Sequence, residues 1–252
     1  MTLEQLKERP LSYSSLKQFA ISPAHYINYL NKEREETPAL IFGSALHCAL
    51  LQEDKFKEEF IVSPKFDMRK TADKEAYAKF QEEANGKKIL PEDVYSEVYN
   101  LVTLVKENPE FLTIMADAVT VESREEKELF GLPFVFIKDI QTTNMIVDIK
   151  TVQSAASTDL NKDFFNYDYP LQAAIYGDNF HFYVVEKNQP YYNGLIGVDS
   201  DWFDYGTNKL ERLCIAFNYA LEHPESFTQS YDFWYKLNNK KPIISLPGWV
   251  KN

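Results

Sequence analysis

Cysteine is almost missing from this sequence. The two present, Cys48 and Cys214, cannot build a disulfide framework or a four-cysteine zinc or iron–sulfur site, and neither has a recognisable catalytic partner. Glycine is sparse too, with eight residues. No Gly-rich phosphate-cradling loop and no Gly-x-Ser-x-Gly elbow occurs, which argues against a serine or cysteine hydrolase. Positive charge is in deficit, with 27 Lys+Arg against 38 Asp+Glu and a net charge of -11. Phosphate contacts need Lys and Arg, so this balance disfavours a general nucleic-acid coat. It leaves room for a site that itself requires carboxylates. Long apolar runs are absent as well. The longest apolar region, residues 38–51, is broken by Gly43, Ser44 and His47 and is too short to span a bilayer. The start, Met1-Thr2-Leu3-Glu4-Gln5, is polar and acidic, unlike a secretory signal. The expectation is a soluble, cytoplasmic protein with no membrane partner.

What is present suffices for a core: 44% hydrophobic and 15% aromatic residues in 252. The length suits one large domain, or one with a helical extension, and rules out a disordered chain. Helical signals come first. Ser15 with Gln18 fits a capping box, and Ser22-Pro23 sets a cap before a proline at the first helical position. Helices are expected over 23–30, 38–52, part of 64–90, and from 91 to the stop at Asn108-Pro109. Gly43 would let the 38–52 helix approach a sheet closely. A short strand is expected at 60–62. From Ala118 the period becomes strand-like: strands at 119–121, 132–140 and 145–150, a loop at 151–159, and a helix at 170–178. Strands at 180–185 and 191–198, a helix at 205–221 and an aromatic tail with Phe233, Trp234 and Trp249 complete the chain. This order describes an α/β (α+β) fold, a central sheet flanked by helices. Residues 1–117 form an N-terminal helical part that packs on a core spanning 118–252.

The chemistry concentrates at Lys138-Asp139-Ile140 and Val147-Asp148-Ile149-Lys150-Thr151. In a hairpin with Thr143-Asn144 at its tip, Asp139 and Asp148 are equally far from the turn and therefore directly opposed. Opposed side chains share a face, about 4.5–5.5 Å apart at their β-carbons. Two carboxylates that close repel unless a cation separates them, and a hard, oxygen-ligated ion such as Mg²⁺ is the natural occupant. The strand period puts Lys150 on that same face and turns Ile149 into the core. The acid-x-Lys triplet recurs at Glu53-Asp54-Lys55 and Glu125-Glu126-Lys127, and taken alone it is better read as an edge-strand ion pair. His47, between Leu46 and Leu50, reads first as a hydrogen-bonded core histidine. His25, His181 and His223 read as structural or exposed.

Longer patterns add a resemblance. Asp148-Ile149-Lys150-Thr151, Ala155-Ala156 and Tyr167-x-Tyr169-Pro170-Leu171-Gln172-Ala173-Ala174-Ile175-Tyr176 resemble the PD-(D/E)XK nucleases. The resemblance is nearest to the RecE-type (exonuclease VIII-like) exonucleases of phages and prophages, relatives of lambda exonuclease. Gly43-Ser44-Ala45-Leu46-His47 looks like that family's helical histidine motif. Tyr13 to Lys17 and Ser22 to Tyr26 look like its N-terminal segment. Gly131-Leu132-Pro133 keeps the spacing to Asp139, and Val185-Glu186-Lys187 through Pro190-Tyr191 fits its last strand pair. The family's usual proline before the first acid is Lys138 here.

The resemblance implies a restriction-endonuclease-like core with a mixed sheet. It implies that Asp139, Asp148 and the Ile149 carbonyl hold Mg²⁺, with Mn²⁺ as a substitute, and that His47 lies beside the metal. Lys150 would be the catalytic lysine, and Gln172 and Tyr176, on one helix face by their spacing, would line the site. An upstream glutamate is also implied. Glu122, Glu125 and Glu126 compete for that place, with Glu126 slightly favoured. The implied activity is 5′→3′ digestion of linear double-stranded DNA, leaving 3′ single strands for a strand-annealing recombination protein, by a ring-like homo-oligomer. A structure-specific or restriction-type endonuclease and a catalytically silent DNA-binding module stay open. Lys65, Arg69, Lys70, Lys74, Lys87 and Lys88 are candidate phosphate contacts, and an ordinary solvated face explains them as well.

Overall fold

The computed structural model describes residues 2–33, 36–228 and 233–237. The chain opens with α1 (Leu3–Glu8), α2 (Tyr13–Ile21) and α3 (Pro23–Asn31). The start of α2 differs from expectation. Ser12 is the cap, accepting from the Ser15 amide, and Ser15 reaches back to the Ser12 amide. Ser15 is thus the inner member of the capping box. Ser22 caps α3, and Thr37 caps α4 (Pro38–Leu51), each followed by proline at the first helical position.

Next come α5 (Glu53–Glu59), β1 (Phe60–Ser63), α6 (Thr71–Ala84), β2 (Lys88–Pro91), α7 (Glu92–Glu107) and α8 (Pro109–Ala116). Strands β1 and β2 pair in parallel as a small two-stranded sheet. Neither β2 nor α8 was expected. Four residues leave no period to read in β2. At α8 the Asn108-Pro109 pair works twice: Asn108 ends α7 and its side chain accepts from the Glu110 amide to start the next helix.

The main sheet follows with β3 (Ala118–Leu129), β4 (Leu132–Thr142) and β5 (Ile146–Val152). Then come α9 (Ser157–Asn166), α10 (Tyr169–Tyr176), β6 (Phe180–Glu186), β7 (Asn193–Gly197) and α11 (Ser200–Glu222). A 3₁₀ turn, Pro224–Phe227, and α12 (Phe233–Leu237) end the described chain. Trp249 lies outside the described residues. The sheet order is β3-β4-β5-β6-β7, with β5 and β6 parallel and the other neighbours antiparallel. It is a mixed sheet flanked by helices. Strand β3 runs far past the expected 119–121 because its charged residues suit an edge strand, where one side chain in two meets water. Helix α9 begins inside the loop expected at 151–159 and runs on through residues for which no element was expected. It is polar and buries little beyond Leu160 and Phe164, four residues apart on one face.

Each sheet face has its own core. Val147, Ile149, Tyr183 and Val185 pack beneath α4, α7 and α8, against Leu46, Val98, Val105 and Phe111. Ile146, Phe180, Phe182 and Val184 pack beneath α9 and α10, against Leu160, Phe164 and Ala173. A third cluster joins α1–α3 to β4 and α11: Leu16, Phe19 and Tyr26 meet Phe134, Phe217 and Phe227, with Phe19 and Phe217 in edge-to-face contact at 4.9 Å. Strand β5 pairs with β4 only at residues 140–141. Farther along β4, Leu11 takes that edge, donating to the Pro133 carbonyl and accepting from the Val135 amide, both at 2.8 Å.

Close helix packing falls at another glycine than expected. A Cβ at Gly43 would meet only Thr151 Oγ1 at 3.5 Å, an ordinary contact. At Gly206 of α11 it would lie 2.0 Å from the Pro170 carbonyl oxygen of α10. Among the described residues no helix is long and apolar enough to cross a membrane.

Candidate metal centre and active site

The β4–β5 turn sets the first two acids. The register pairs Ile140 with Val147 and Gln141 with Ile146, which brings Asp139 and Asp148 level where the ladder stops. Both are buried. With no partner strand to bond, the Ile149 amide donates instead to Asp139 Oδ2 at 2.7 Å. An extended residue presents its N–H and C=O to one strand edge, so the Ile149 carbonyl faces β4 as well. Its side chain enters the core. Asp148 lies between two side chains: Gln172 Nε2 donates to Oδ1 at 2.6 Å, and Lys150 Nζ is 2.6 Å from Oδ2.

The β3–β4 turn sets the third acid. Phe130 and Gly131 both adopt positive φ, 51° and 76°, as a tight two-residue hairpin turn demands. The register pairs Val121 with Ile140 and Ser123 with Lys138, so Glu122 faces Asp139. Its φ of 54° is an uncommon value for a non-glycine residue. His47, carried by α4, bridges the two acids: Nδ1 is 3.2 Å from Glu122 Oε1 and Nε2 is 2.9 Å from Asp139 Oδ2. His47, Glu122 and Asp139 each offer a ligand atom within 4.8 Å of the others.

Of the three competing glutamates it is Glu122, and not the favoured Glu126, that the structure brings to His47 and Asp139. Glu126 is exposed and pairs with Arg124 at 2.5 Å, and Glu125 pairs with Lys138 at 2.8 Å. A signal for this was available, because Glu122 lies as far before the Phe130-Gly131 turn as Asp139 lies after it.

Burial governs the electrostatics. It is the largest influence on Asp148, lifting the carboxyl to about 6; Lys150 opposes the rise and Asp139 adds to it. Burial alone would pull the His47 imidazole down, but Asp139, then Glu122 and Asp148, outweigh it and bring it to about 9. Burial likewise works against the Lys150 ammonium, and the pull of Asp148, then Tyr169 and Asp139, holds its pKa above the ordinary lysine value. Glu122 is raised by burial.

These pairs do not satisfy every atom. Glu122 Oε1 and Asp148 Oδ2 lie within ion-pair distance of His47 and Lys150, yet with Gln172 Oε1 they are buried without an aligned hydrogen bond. Buried oxygens left in that state are costly. Together with the imidazole they fit a divalent cation that prefers oxygen and accepts one nitrogen.

A cavity of about 540 Å³ opens over this cluster. It is lined by His47, Glu122, Asp139, Asp148, Lys150 and Gln172, with Tyr13, Tyr169 and Tyr176 at its sides. Tyr176 packs on Phe136 at 4.9 Å and Phe180 at 5.4 Å, and burial raises the pKa of its phenol. The sequence-predicted residues His47, Asp139, Asp148, Lys150, Gln172 and Tyr176 thus meet in one space. Tyr13 and Tyr169 belong to it as well and carried no signal beyond the motifs containing them.

The six basic candidates are not brought there. Arg69 and Lys70 face Asp67 at 3.0 and 3.9 Å, Lys87 Nζ donates to the Lys57 carbonyl at 2.8 Å, and Lys88 meets Glu36 at 2.7 Å. Lys65 lines a separate cavity beside Phe66 and Tyr77. Lys74 sits on α6, and none of the six lines the cavity over Asp139.

A mixed sheet with acids on neighbouring strands, a lysine two residues beyond the second acid and a helix covering them is the PDDEXK-like fold. The family model described as "PDDEXK-like domain of unknown function (DUF3799)" matches residues 12–229, and the chain belongs to that family. No curated protein matches it. Among solved structures, the chain is similar to one from Eubacterium rectale named "Putative exonuclease", with a TM-score of 0.63 and 16% identity over 99% of this chain and 94% of that one. A second, SSO0001, aligns with a TM-score of 0.28 and 15% identity over 81% and 83% of the two chains, too low a score to bear on the fold.

Proposed function

We propose that the protein is a divalent-metal-dependent deoxyribonuclease that hydrolyses phosphodiester bonds of linear double-stranded DNA from its ends, in the manner of the RecE-type exonucleases. The observation that carries this reading is the placement of Lys150 against Asp148, beside the His47, Glu122 and Asp139 ligand atoms within 4.8 Å of one another. The name of the Eubacterium rectale structure accords with it.

Asp139, Asp148, Glu122, His47 and the Ile149 carbonyl would hold the cation, Mg²⁺ with Mn²⁺ as substitute. Bound there, a cation supplies Lewis-acid stabilisation of phosphoryl oxygens and acidifies water. As an ammonium, the form that Asp148 favours, Lys150 has no lone pair to accept a proton. Its work is to donate, orienting the attacking water or neutralising a phosphate oxygen beside the acids. Gln172, through its bond to Asp148 Oδ1, fixes that carboxylate so that Oδ2 faces Lys150. Tyr176 closes the cavity wall against Phe136 and Phe180 and keeps water from the sheet side. Polarity 5′→3′, a ring-like homo-oligomer, a cytoplasmic location and a strand-annealing partner belong to the same reading and rest on the sequence resemblance.

End-labelled linear duplex, incubated with and without Mg²⁺ beside a covalently closed circle, tests it. Linear DNA should be degraded only with Mg²⁺ and the circle should survive. Cutting of the circle would make the enzyme an endonuclease. Full Mg²⁺-dependent hydrolysis by Asp148→Ala would overturn the assignment of the site.

A further inference from the structure

An aromatic stack leads out of the cavity, and the hydrolytic chemistry makes no use of it. Lys150 Nζ lies 4.7 Å from the centroid of the Tyr169 ring. Tyr169 stacks on Tyr167 at 5.6 Å and 30°, and Tyr13 of α2 sits tilted against Tyr169 at 6.4 Å. The Tyr13 hydroxyl donates to the Tyr167 carbonyl, so a backbone hydrogen bond ties the link between α9 and α10 to α2. Tyr167 as a residue is left 55% exposed.

Lys17 stands over this surface, one helical turn from Tyr13. Its Nζ is 5.6 Å from the Tyr167 ring and 6.0 Å from the Tyr13 ring. Half-burial lowers its pKa, and Asp168, the acid that opposes this, is already taken by Lys209 at 2.7 Å. A second open pair joins Phe165, two residues before Tyr167, to Tyr205 of α11, with ring centroids 5.4 Å apart.

An exposed ring backed by other rings, with a cation above and a hydrolytic lysine behind, has a particular complement. A nucleobase presents a flat apolar face of similar size, and its phosphate presents the opposite charge to lysine. The base face is available only when the base is unpaired, because a duplex stacks its bases on one another. Charge agrees with this occupant. The chain as a whole is acidic, yet Lys17 stands over these rings while Lys209 and Lys150 hold the neighbouring acids Asp168 and Asp148 in ion pairs.

We propose that Tyr167, backed by Tyr13 and Tyr169 and overlooked by Lys17, is a stacking platform for unpaired nucleotides adjoining the phosphodiester that is cut. The substrate on this account is a DNA strand that is single-stranded beside the scissile bond. The inference rests on the reading of the cavity as a phosphodiester hydrolase, and its test is arranged to separate the two.

Binding of the full-length protein to a labelled short oligothymidylate and to a blunt hairpin duplex, both in Ca²⁺, is measured by fluorescence anisotropy. Tyr167→Ala should weaken oligothymidylate binding about tenfold and affect the blunt hairpin much less, and Tyr167→Trp should restore the loss. A merely structural tyrosine would not be rescued by the larger indole in binding alone. Divalent-ion-induced thermal stabilisation should be unchanged in both variants. Unaltered oligothymidylate affinity in Tyr167→Ala overturns the platform, and so does an equal loss on both DNAs. A shift in self-association without a change in DNA binding overturns it too, since the face would then join copies of the chain. Tyr167-dependent binding by a protein that hydrolyses nothing would sink the nuclease reading and leave the platform standing. Hydrolysis with Tyr167-independent binding would do the reverse.

Discussion

Two charge-rich regions of the molecule handle their charges in opposite ways. Around α5 and α6, cations and acids meet neighbours in the sequence: Lys57 with Glu53, Lys55 with Glu59, Arg69 with Asp67. These pairs are exposed and closed locally. In the cavity over β4 and β5 the partners come from five elements, they are buried or half-buried, and carboxylate oxygens remain without aligned donors. Exposed pairs within one helix contribute a few tenths of a kcal/mol, whereas buried charges are expensive unless something further neutralises them. The contrast teaches where to look for chemistry. Charge density alone marks both regions, and burial with incomplete satisfaction marks only one.

The strongest way to break the contrast is to remove charge from the buried side. Asp148→Asn should lower Mg²⁺-dependent hydrolysis by on the order of 10²–10³ while the protein stays folded by circular dichroism. Near-normal turnover would place the chemistry elsewhere.

A pH series on protein in EDTA sharpens the comparison next. The folded His47 value of about 9 lies above the ordinary 6.5, so its protonation stabilises the fold fully below pH 6.5. That contribution is lost as pH rises through about 9. The difference amounts to about 3 kcal/mol at most, read as a falling thermal midpoint between pH 6.5 and 9. His47→Gln should flatten that slope, and saturating divalent ion should oppose it, because a cation takes the neutral imidazole. A slope identical in His47→Gln would exclude this source.

Gly206→Ala tests the support of the site without touching it. The added Cβ collides with the Pro170 carbonyl and must push apart α10 and α11, costing about 1–3 kcal/mol by overpacking. Hydrolysis should fall as well, since α10 carries Gln172 and Tyr176. A stable variant with full activity would show that the helix pair yields freely. Within β3, Glu122→Gln should weaken divalent-ion affinity by roughly tenfold or more, measured by calorimetry, and Glu126→Gln should leave it unchanged. The smallest effect belongs to the locally paired region. Arg69→Ala should change stability by less than about 0.5 kcal/mol and leave the salt dependence of DNA binding as it was.

Much of this was legible in the sequence, for reasons that differ by residue. Asp139, Asp148 and Lys150 followed from counting across one turn, because a two-residue strand period fixes which side chains share a face. Gln172 and Tyr176 came together through helical spacing and family pattern, and His47 through its motif. The same counting across Phe130-Gly131 singles out Glu122, but the run of acids at 122–128 offers several glutamates and hid which hairpin register applied. The kink at Glu122 is a backbone feature that leaves no trace in composition. Helices α8 and α9 were missed because a single Asn-Pro pair both stops and starts, and because α9 buries too few residues to show a period. The contact of Gly206 with Pro170 joins residues far apart in the chain, and no local pattern announces it.

Leu11 has a practical bearing on how the protein can be shortened. The family match begins at residue 12, one position after the amide and carbonyl that close the free margin of β4 at Pro133 and Val135. A polypeptide trimmed to that boundary would expose a raw sheet margin ready to recruit a stray strand, so any minimal version should begin upstream of Leu11.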